Sequence, residues 1–175
     1  MTNAEMAILS LIVEQPRHGY EVEQVINERG MRDWTEVGFS SIYFLLKKLE
    51  KAGLIVSHIE PAARKGPARK VYRPTSAGIA ALRLGIIHAL ANPVPVNSSL
   101  QLALANLPML LPEEIAAALA QRRQALYDRH QELSQKWESQ HPLPYFVDAM
   151  FDNSLTMIQA EIGWIDKLIS TYADE

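Results

Sequence analysis

Apolar and polar positions along this 175-residue chain recur with two periods, one helical and one extended. Near the start, Ala4, Ile8, Leu11 and Ile12 share one helical face. Thr2 and Glu5 have the S/T-x-x-E spacing in which a hydroxyl and a carboxylate cap a helix reciprocally, which predicts a first helix to about Gln15. Pro16-Arg17-His18-Gly19 reads as a turn. Tyr20, Val22, Val25 and Ile26 mark a second helix to about Arg29, stopped by Gly30. After a loop carrying Trp34, a third helix is capped by Ser40 or Ser41 and ends at Gly53. Its Ile42, Leu45, Leu46 and Leu49 fall at i, i+3, i+4 and i+7 and predict one buried stripe; Ser40, Tyr43, Phe44, Lys47, Lys48 and Lys51 then point outward. Leu54 to Ile59 alternates as a strand, and Val71 to Arg73 returns beside it across a turn containing Gly66 and Pro67. Thr75 caps a fourth helix to about Leu90.

Beyond Leu90 the pattern changes. Asn92 to Asn97 reads as a linker, and Leu100 to Leu110 as a short buried helix. Pro112-Glu113-Glu114 opens a longer helix, with proline in its first turn and acid at its positive end, running to about Gln140. In the last helix, about Tyr145 to Tyr172, Phe151, Leu155, Ile158, Ile162, Ile165, Ile169 and Tyr172 alternate spacings of 4 and 3, a coiled-coil seam. Such a seam serves either a second copy of the chain or the preceding helix, whose weaker stripe is Ile115, Leu119, Leu126, Leu133 and Trp137. A two-fold protein suits a two-fold target, so dimerisation through Phe151, Leu155, Ile158, Ile162, Ile165 and Ile169 is the expectation. The predicted organisation is therefore an N-terminal domain over 1–91, a linker and short helix over 92–112, and a helical dimerisation domain over 113–175.

Net charge, at −3, argues against a nucleic-acid binder until its distribution is seen. Residues 1–90 hold 12 Lys+Arg against 9 Asp+Glu, and residues 91–175 hold 5 against 11. Lys47 to Arg73 alone carries 8 cations and 2 anions, the local footprint that phosphate attraction requires. The absence of cysteine excludes disulfides, thiolate chemistry and Cys-ligated zinc. Leu84 to Pro112 lacks formal charge, but four prolines and several Asn and Ser interrupt it, so no membrane span is expected and the protein is placed in the cytoplasm.

Nothing predicts catalysis. The five histidines show no H-E-x-x-H pattern, and no serine sits in a G-x-S-x-G turn. A glycine-rich phosphate loop is missing too. Neither a cofactor nor a metal is expected. Trp34, Trp137 and Trp164 are core fillers by default; with Tyr145 they are also the candidates for holding a flat apolar effector.

Three short helices followed by a hairpin with a cationic tip make a helix-turn-helix with a wing, in which the third helix enters the major groove. The fold expected is mainly α: an N-terminal winged helix-turn-helix with a two-stranded β wing, then a coiled-coil-like helical domain. DNA contacts are assigned to Ser40, Ser41, Tyr43, Phe44, Lys47 and Lys48 on the helix and to Lys65, Arg69 and Lys70 on the wing.

The segments His18-Gly19-Tyr20, Ser41-Ile42-Tyr43, Leu46 to Lys51, Gly53-Leu54-Ile55 and Arg69 to Gly78 together resemble the PadR family of bacterial transcriptional regulators. The likeness covers about residues 4 to 80; beyond it only length and helix order agree with the longer members. Where the family has Pro-Ala after the recognition-helix tyrosine, this chain has Phe44-Leu45, and the wing's Gly-Arg-Pro stands as Gly66-Pro67 with Ala68 before Arg69. The operator sequence is therefore not transferable. The resemblance implies a homodimeric regulator of double-stranded DNA with a pseudo-palindromic operator. It also implies a small phenolic or other aromatic effector. Repression is favoured over activation because promoter occupancy alone suffices for it. The rival readings are a winged-helix module gripping an acidic protein partner, and a small-molecule carrier with a vestigial DNA-binding half.

Overall fold

In a computed structural model of the chain, residues 1–35, 37–38, 41–61, 69–93 and 98–173 are described, with main chain only at 33, 172 and 173. Ser40, Lys65, the Gly66-Pro67 turn and the Tyr172 side chain lie outside the described residues, as does most of the expected linker. The chain divides into two compact units, Met1–Pro95 and Val96–Glu175.

The first unit opens with α1 (Asn3–Glu14), capped reciprocally as its sequence dictates: the Thr2 N–H donates to the Glu5 carboxylate at 2.8 Å and the Glu5 N–H to Thr2 Oγ1 at 3.2 Å. It continues with β1 (Arg17–His18), α2 (Gly19–Glu28), a 3-10 turn (Met31–Asp33), α3 (Ser41–Lys51), β2 (Ile55–Glu60), β3 (Arg69–Pro74) and α4 (Ser76–Ala91). The stripes of α1, α2 and α3 meet as expected. Ile8, Leu9, Ile12, Val22, Ile26, Ile42, Leu46 and Ile55 are fully buried in one cluster, each such burial contributing about 1.5–3 kcal/mol. Gly53, at φ 71°, ends α3. The Leu54 N–H donates to the Leu49 carbonyl and the Gly53 N–H to that of Glu50, a Schellman stop that turns the chain into β2.

The segment expected to be a simple turn at residues 16–19 contains a strand. Arg17 and His18 pair antiparallel with Tyr72 and Val71, so the sheet has three strands in the order β1-β3-β2 rather than a two-stranded wing alone. The cause is Arg17. Its guanidinium is buried and donates to the Leu11 carbonyl and to the Glu14 carboxylate, which fixes this short segment beside β3. β2 and β3 pair in register from Ile55↔Pro74 to Glu60↔Arg69.

The second unit holds α5 (Ser99–Ala105), a 3-10 turn (Leu107–Met109), α6 (Pro112–Ser139) and α7 (Tyr145–Ala173). No residue of α5 is buried, contrary to the expectation of a buried helix there, and Leu102 is 70% exposed. Only Leu107, just beyond it, reaches the apolar cluster of this unit. That cluster is built by α6 and α7: Ile115, Leu119 and Ile165 at its centre, with Leu126, Trp164, Leu168 and Ile169 around them. The seam of α7 is thus used within the chain. Ile162 and Ile165 are fully buried, while Phe151, Leu155, Ile158 and Ile169 are half-buried. Arg122–Glu161 (2.6 Å) and Arg123–Asp166 (2.9 Å) ion pairs flank the same contact. Ile165 therefore belongs to the hairpin core, and Ile162 is buried in the single chain as well.

Candidate nucleic-acid interface

The interface is built on the side of α3 left over after its core stripe is buried. Ile42, Leu45, Leu46 and Leu49 face inward, so Tyr43, Phe44, Lys47 and Lys51 form the exposed face, and Phe44 is 65% exposed. Lys51 belongs with this face although it was not assigned to DNA from the sequence; its place at i+4 from Lys47 is the signal that was available. Ser41 also anchors the start of the helix. Its hydroxyl donates to the Gly38 carbonyl at 2.7 Å, tying the start of α3 to the preceding loop. Tyr43 is placed by Gly19, the first residue of α2. A Cβ at residue 19 would fall 2.5 Å from Tyr43 Cε1, so the Tyr43 ring lies against bare backbone. The His18-Gly19-Tyr20 and Ser41-Ile42-Tyr43 segments are thereby two halves of one contact.

Charge divides the cations into two groups. Lys47, Lys51 and Arg69 are exposed and have no carboxylate partner among the described residues. Lys48 and Lys70, both assigned to DNA from the sequence, are held by acids of the same unit. Lys48 Nζ lies 2.6 Å from Glu5 Oε1, on the flank of α3 turned toward α1. Lys70 Nζ lies 2.8 Å from Glu50 Oε2 and 5.1 Å from the centre of the Tyr72 ring. The Lys48 hydrogen bond, followed by that from the Thr2 backbone, holds the Glu5 carboxyl below the usual carboxylate range. Lys70, then the Ser57 hydroxyl, does the same for Glu50, and Glu50 in turn raises Lys70. Sequence reasoning missed both counter-charges, because their spacings of 43 and 20 residues carry no local pattern. Arg73 shares Glu60 with His58, at 3.6 and 2.7 Å.

The wing is set on α4 by one joint. Thr75 Oγ1 shares its one hydrogen between the Gly53 carbonyl (2.8 Å) and the Leu54 carbonyl (3.0 Å) and accepts from the Gly78 N–H (3.0 Å). Gly78 must be glycine, since a Cβ there would lie 1.9 Å from the Leu54 carbonyl oxygen. The end of β3 and the start of β2 are consequently fixed relative to the last turn of α3.

Of the four residues considered for an effector, one lies in the first unit and three are spread along the second. Trp34 belongs to the first unit, where it is 55% exposed after the 3-10 turn. In the second, Trp137 stacks on Phe151 at 6.1 Å and donates Nε1–H to Asp148 at 2.9 Å. Tyr145 is exposed beside Phe146, edge to face. Trp164 packs on the Ile115 cluster instead, and the 13 residues from Phe151 to Trp164 span about 20 Å of helix. Among the described residues there is no acid, His or Cys cluster able to hold a metal, and no helix is long and apolar enough to cross a membrane.

Residues 8–84 match the model of the transcriptional regulator PadR-like family. An uncharacterized protein from Lysinibacillus sphaericus is 36% identical over 75 residues, which are 43% of this chain and 67% of that protein. Among solved structures, Bacillus subtilis PadR in complex with operator DNA aligns with a TM-score of 0.77 at 20% identity, over 96% of this chain and 98% of that one. The same protein in complex with p-coumaric acid gives 0.78 at 21%, over 98% of each chain. The PadR-like regulator BC1756 from Bacillus cereus gives 0.67 at 16%, over 98% and 99%. At such identities these likenesses establish a common fold, the winged helix-turn-helix followed by a helix pair. With the family model on residues 8–84, they lead to one conclusion: the chain belongs to the PadR-like family of transcriptional regulators.

Proposed function

We propose that the protein is a dimeric, sequence-specific DNA-binding repressor, working in the cytoplasm, whose hold on its operator a small aromatic compound relieves. The observation that carries this reading is the exposed face of α3. An apolar and aromatic pair at its start, Tyr43 and Phe44, is followed by Lys47 and Lys51, with Arg69 on the adjoining strand. The first turn of a recognition helix reaches base edges, and cations further along neutralise phosphates and fix register. Ser40, Ser41, Lys48, Lys65 and Lys70 complete the proposed surface. A relative of the same fold has been seen with operator DNA, which supports the assignment.

Dimerisation is supported by the apolar surface of the second unit. Leu102, Met109, Tyr145, Phe146 and Met157 are all exposed in the single chain, apolar side chains that a second copy would remove from water. A two-fold operator requires two recognition helices about 34 Å apart, and a homodimer supplies the pair. The effector is proposed by analogy with the p-coumaric acid complex of B. subtilis PadR. Trp137 is the best-placed reporter, since its ring is already stacked and its N–H is held.

The test is a titration of the wild-type protein against a 30-base-pair duplex selected from a random pool and against unselected duplex, over a range of salt. Binding that prefers the selected duplex and weakens steeply with salt, and quenching of tryptophan fluorescence by p-coumaric acid that lowers this affinity, are the expected results. Salt-independent or sequence-blind binding overturns the DNA assignment.

A further inference from the structure

Glu50 lies in the last turn of α3, on the flank turned toward the wing. It touches both wing strands at once. Oε2 accepts from Lys70 Nζ of β3 at 2.8 Å, and Oε1 accepts from the Ser57 hydroxyl of β2. Glu50 and Lys70 are 29% and 46% exposed at their side chains, so the pair sits at the surface, where an external anion reaches it. Arg69, the next residue along the strand, has no such partner among the described residues.

The carboxylate offers Lys70 what a DNA phosphate offers: a negative oxygen at hydrogen-bonding distance. A phosphate that takes Lys70 into a full ion pair draws it from Glu50, and the freed carboxylate must then take up a cation or stand unpaired beside a polyanion; a phosphate that binds only the remaining hydrogens of the ammonium meets the charge of the carboxylate as well. The gain from one contact is offset by the loss of the other. For random duplex, where no base contacts by Tyr43 and its neighbours add to the balance, the exchange brings little. On a matched operator, α3 is held in the groove by those contacts, and the exchange follows.

We propose that Glu50 is a specificity-determining residue that competes with DNA phosphates for Lys70, suppressing non-specific binding more than operator binding. This rests on the DNA-binding function proposed above. Glu50 works through Lys70 and touches no base itself. Lys48, held by Glu5 on the opposite flank of α3, does not touch Glu50 and stands outside this exchange.

The experiment uses the full chain and the two duplexes already described. Glu50→Gln keeps the shape of the side chain and its bond with Ser57 but removes the charge. One released lysine steepens the slope of log affinity against log salt by ~0.9 per protomer, or ~1.8 for the dimer, each ~0.9 being equivalent to about eightfold in affinity between 1 M and 0.1 M salt. Glu50→Gln is expected to show this gain on random duplex, a smaller gain on the selected duplex, and so a reduced preference between them. Lys70→Gln alone, which leaves the Glu50 carboxylate unpaired beside the duplex, should weaken random-duplex binding, and combined with Glu50→Gln it should abolish the gain. Ser57→Ala, which loosens the clamp without freeing Lys70, should alter neither slope nor preference. If Glu50→Gln and Ser57→Ala weaken both duplexes alike with no change of slope, Glu50 is only a structural clamp and the inference is overturned. Wild-type protein that binds no duplex overturns the DNA assignment and this inference together; wild type that binds, with Glu50→Gln identical to it, overturns this inference alone.

Discussion

Gly78→Ala tests whether the joint between helix, wing and α4 is as tight as its geometry implies. Gly78 is the third residue of α4, and the added methyl would start 1.9 Å from the Leu54 carbonyl oxygen and 2.9 Å from its carbon. Non-bonded carbons do not approach an oxygen closer than 3.0 Å, so the joint must open by about 1 Å. Leu54 O has little freedom to move, because it accepts from both the Thr75 N–H and the Thr75 hydroxyl at 3.0 Å, and β2 enters register with β3 at the next residue. Overpacking of this kind costs ~1–3 kcal/mol, and disturbing two hydrogen bonds adds ~1 kcal/mol each. The better helix propensity of alanine returns ~1 kcal/mol. The net expectation is a loss of about 3 kcal/mol, or a fall of roughly 10–25 °C in Tm for a unit of this size. The assay is urea and thermal unfolding of the N-terminal unit, followed by Trp34 fluorescence with Trp137 and Trp164 replaced by Phe. A variant as stable as the parent, or more stable by the ~1 kcal/mol of propensity alone, would show that the close approach is absent.

Two further substitutions probe the second unit and the flank of α3. Ile165→Glu puts a carboxylate at a fully buried position of the Ile115 cluster and should melt the α6–α7 hairpin in far-ultraviolet circular dichroism. Met157→Glu, at a 64% exposed site, should leave the hairpin folded and dissociate the dimer in sedimentation. Glu5→Gln should flatten the acid limb of stability: Lys48 holds the folded-state carboxyl below its ordinary 4.5, so the pair stabilises above that pH and its contribution is lost as pH falls through the lowered value.

The elements visible in the sequence were those whose causes are local. The Thr2–Glu5 box, the Ile42–Leu49 stripe and the Gly53 stop each depend on residues within one or two turns, and all three are in place. β1 was not legible, because two residues carry no alternation; what makes them a strand is a buried Arg17 and pairing with β3 more than fifty residues away. The α7 seam was legible as a period but not as a contact, since a repeat of 4 and 3 serves an intramolecular neighbour and a second chain equally. The outward face of α3 followed from the same stripe that gave its inward one. Which of its cations are already neutralised did not, since Glu5 and Glu50 meet Lys48 and Lys70 only after folding.

The central claim is that the face of α3 bearing Tyr43 reads base edges while Lys47 meets phosphate. Tyr43→Ala and Lys47→Ala, titrated against the selected and random duplexes across salt, test it most directly. Tyr43→Ala should lose ~1–3 kcal/mol on the selected duplex and little on random sequence. Lys47→Ala should weaken both alike and make the salt slope shallower by ~0.9 per protomer. Unchanged affinity of both variants for both duplexes would contradict the account, and this face would then belong to a protein partner.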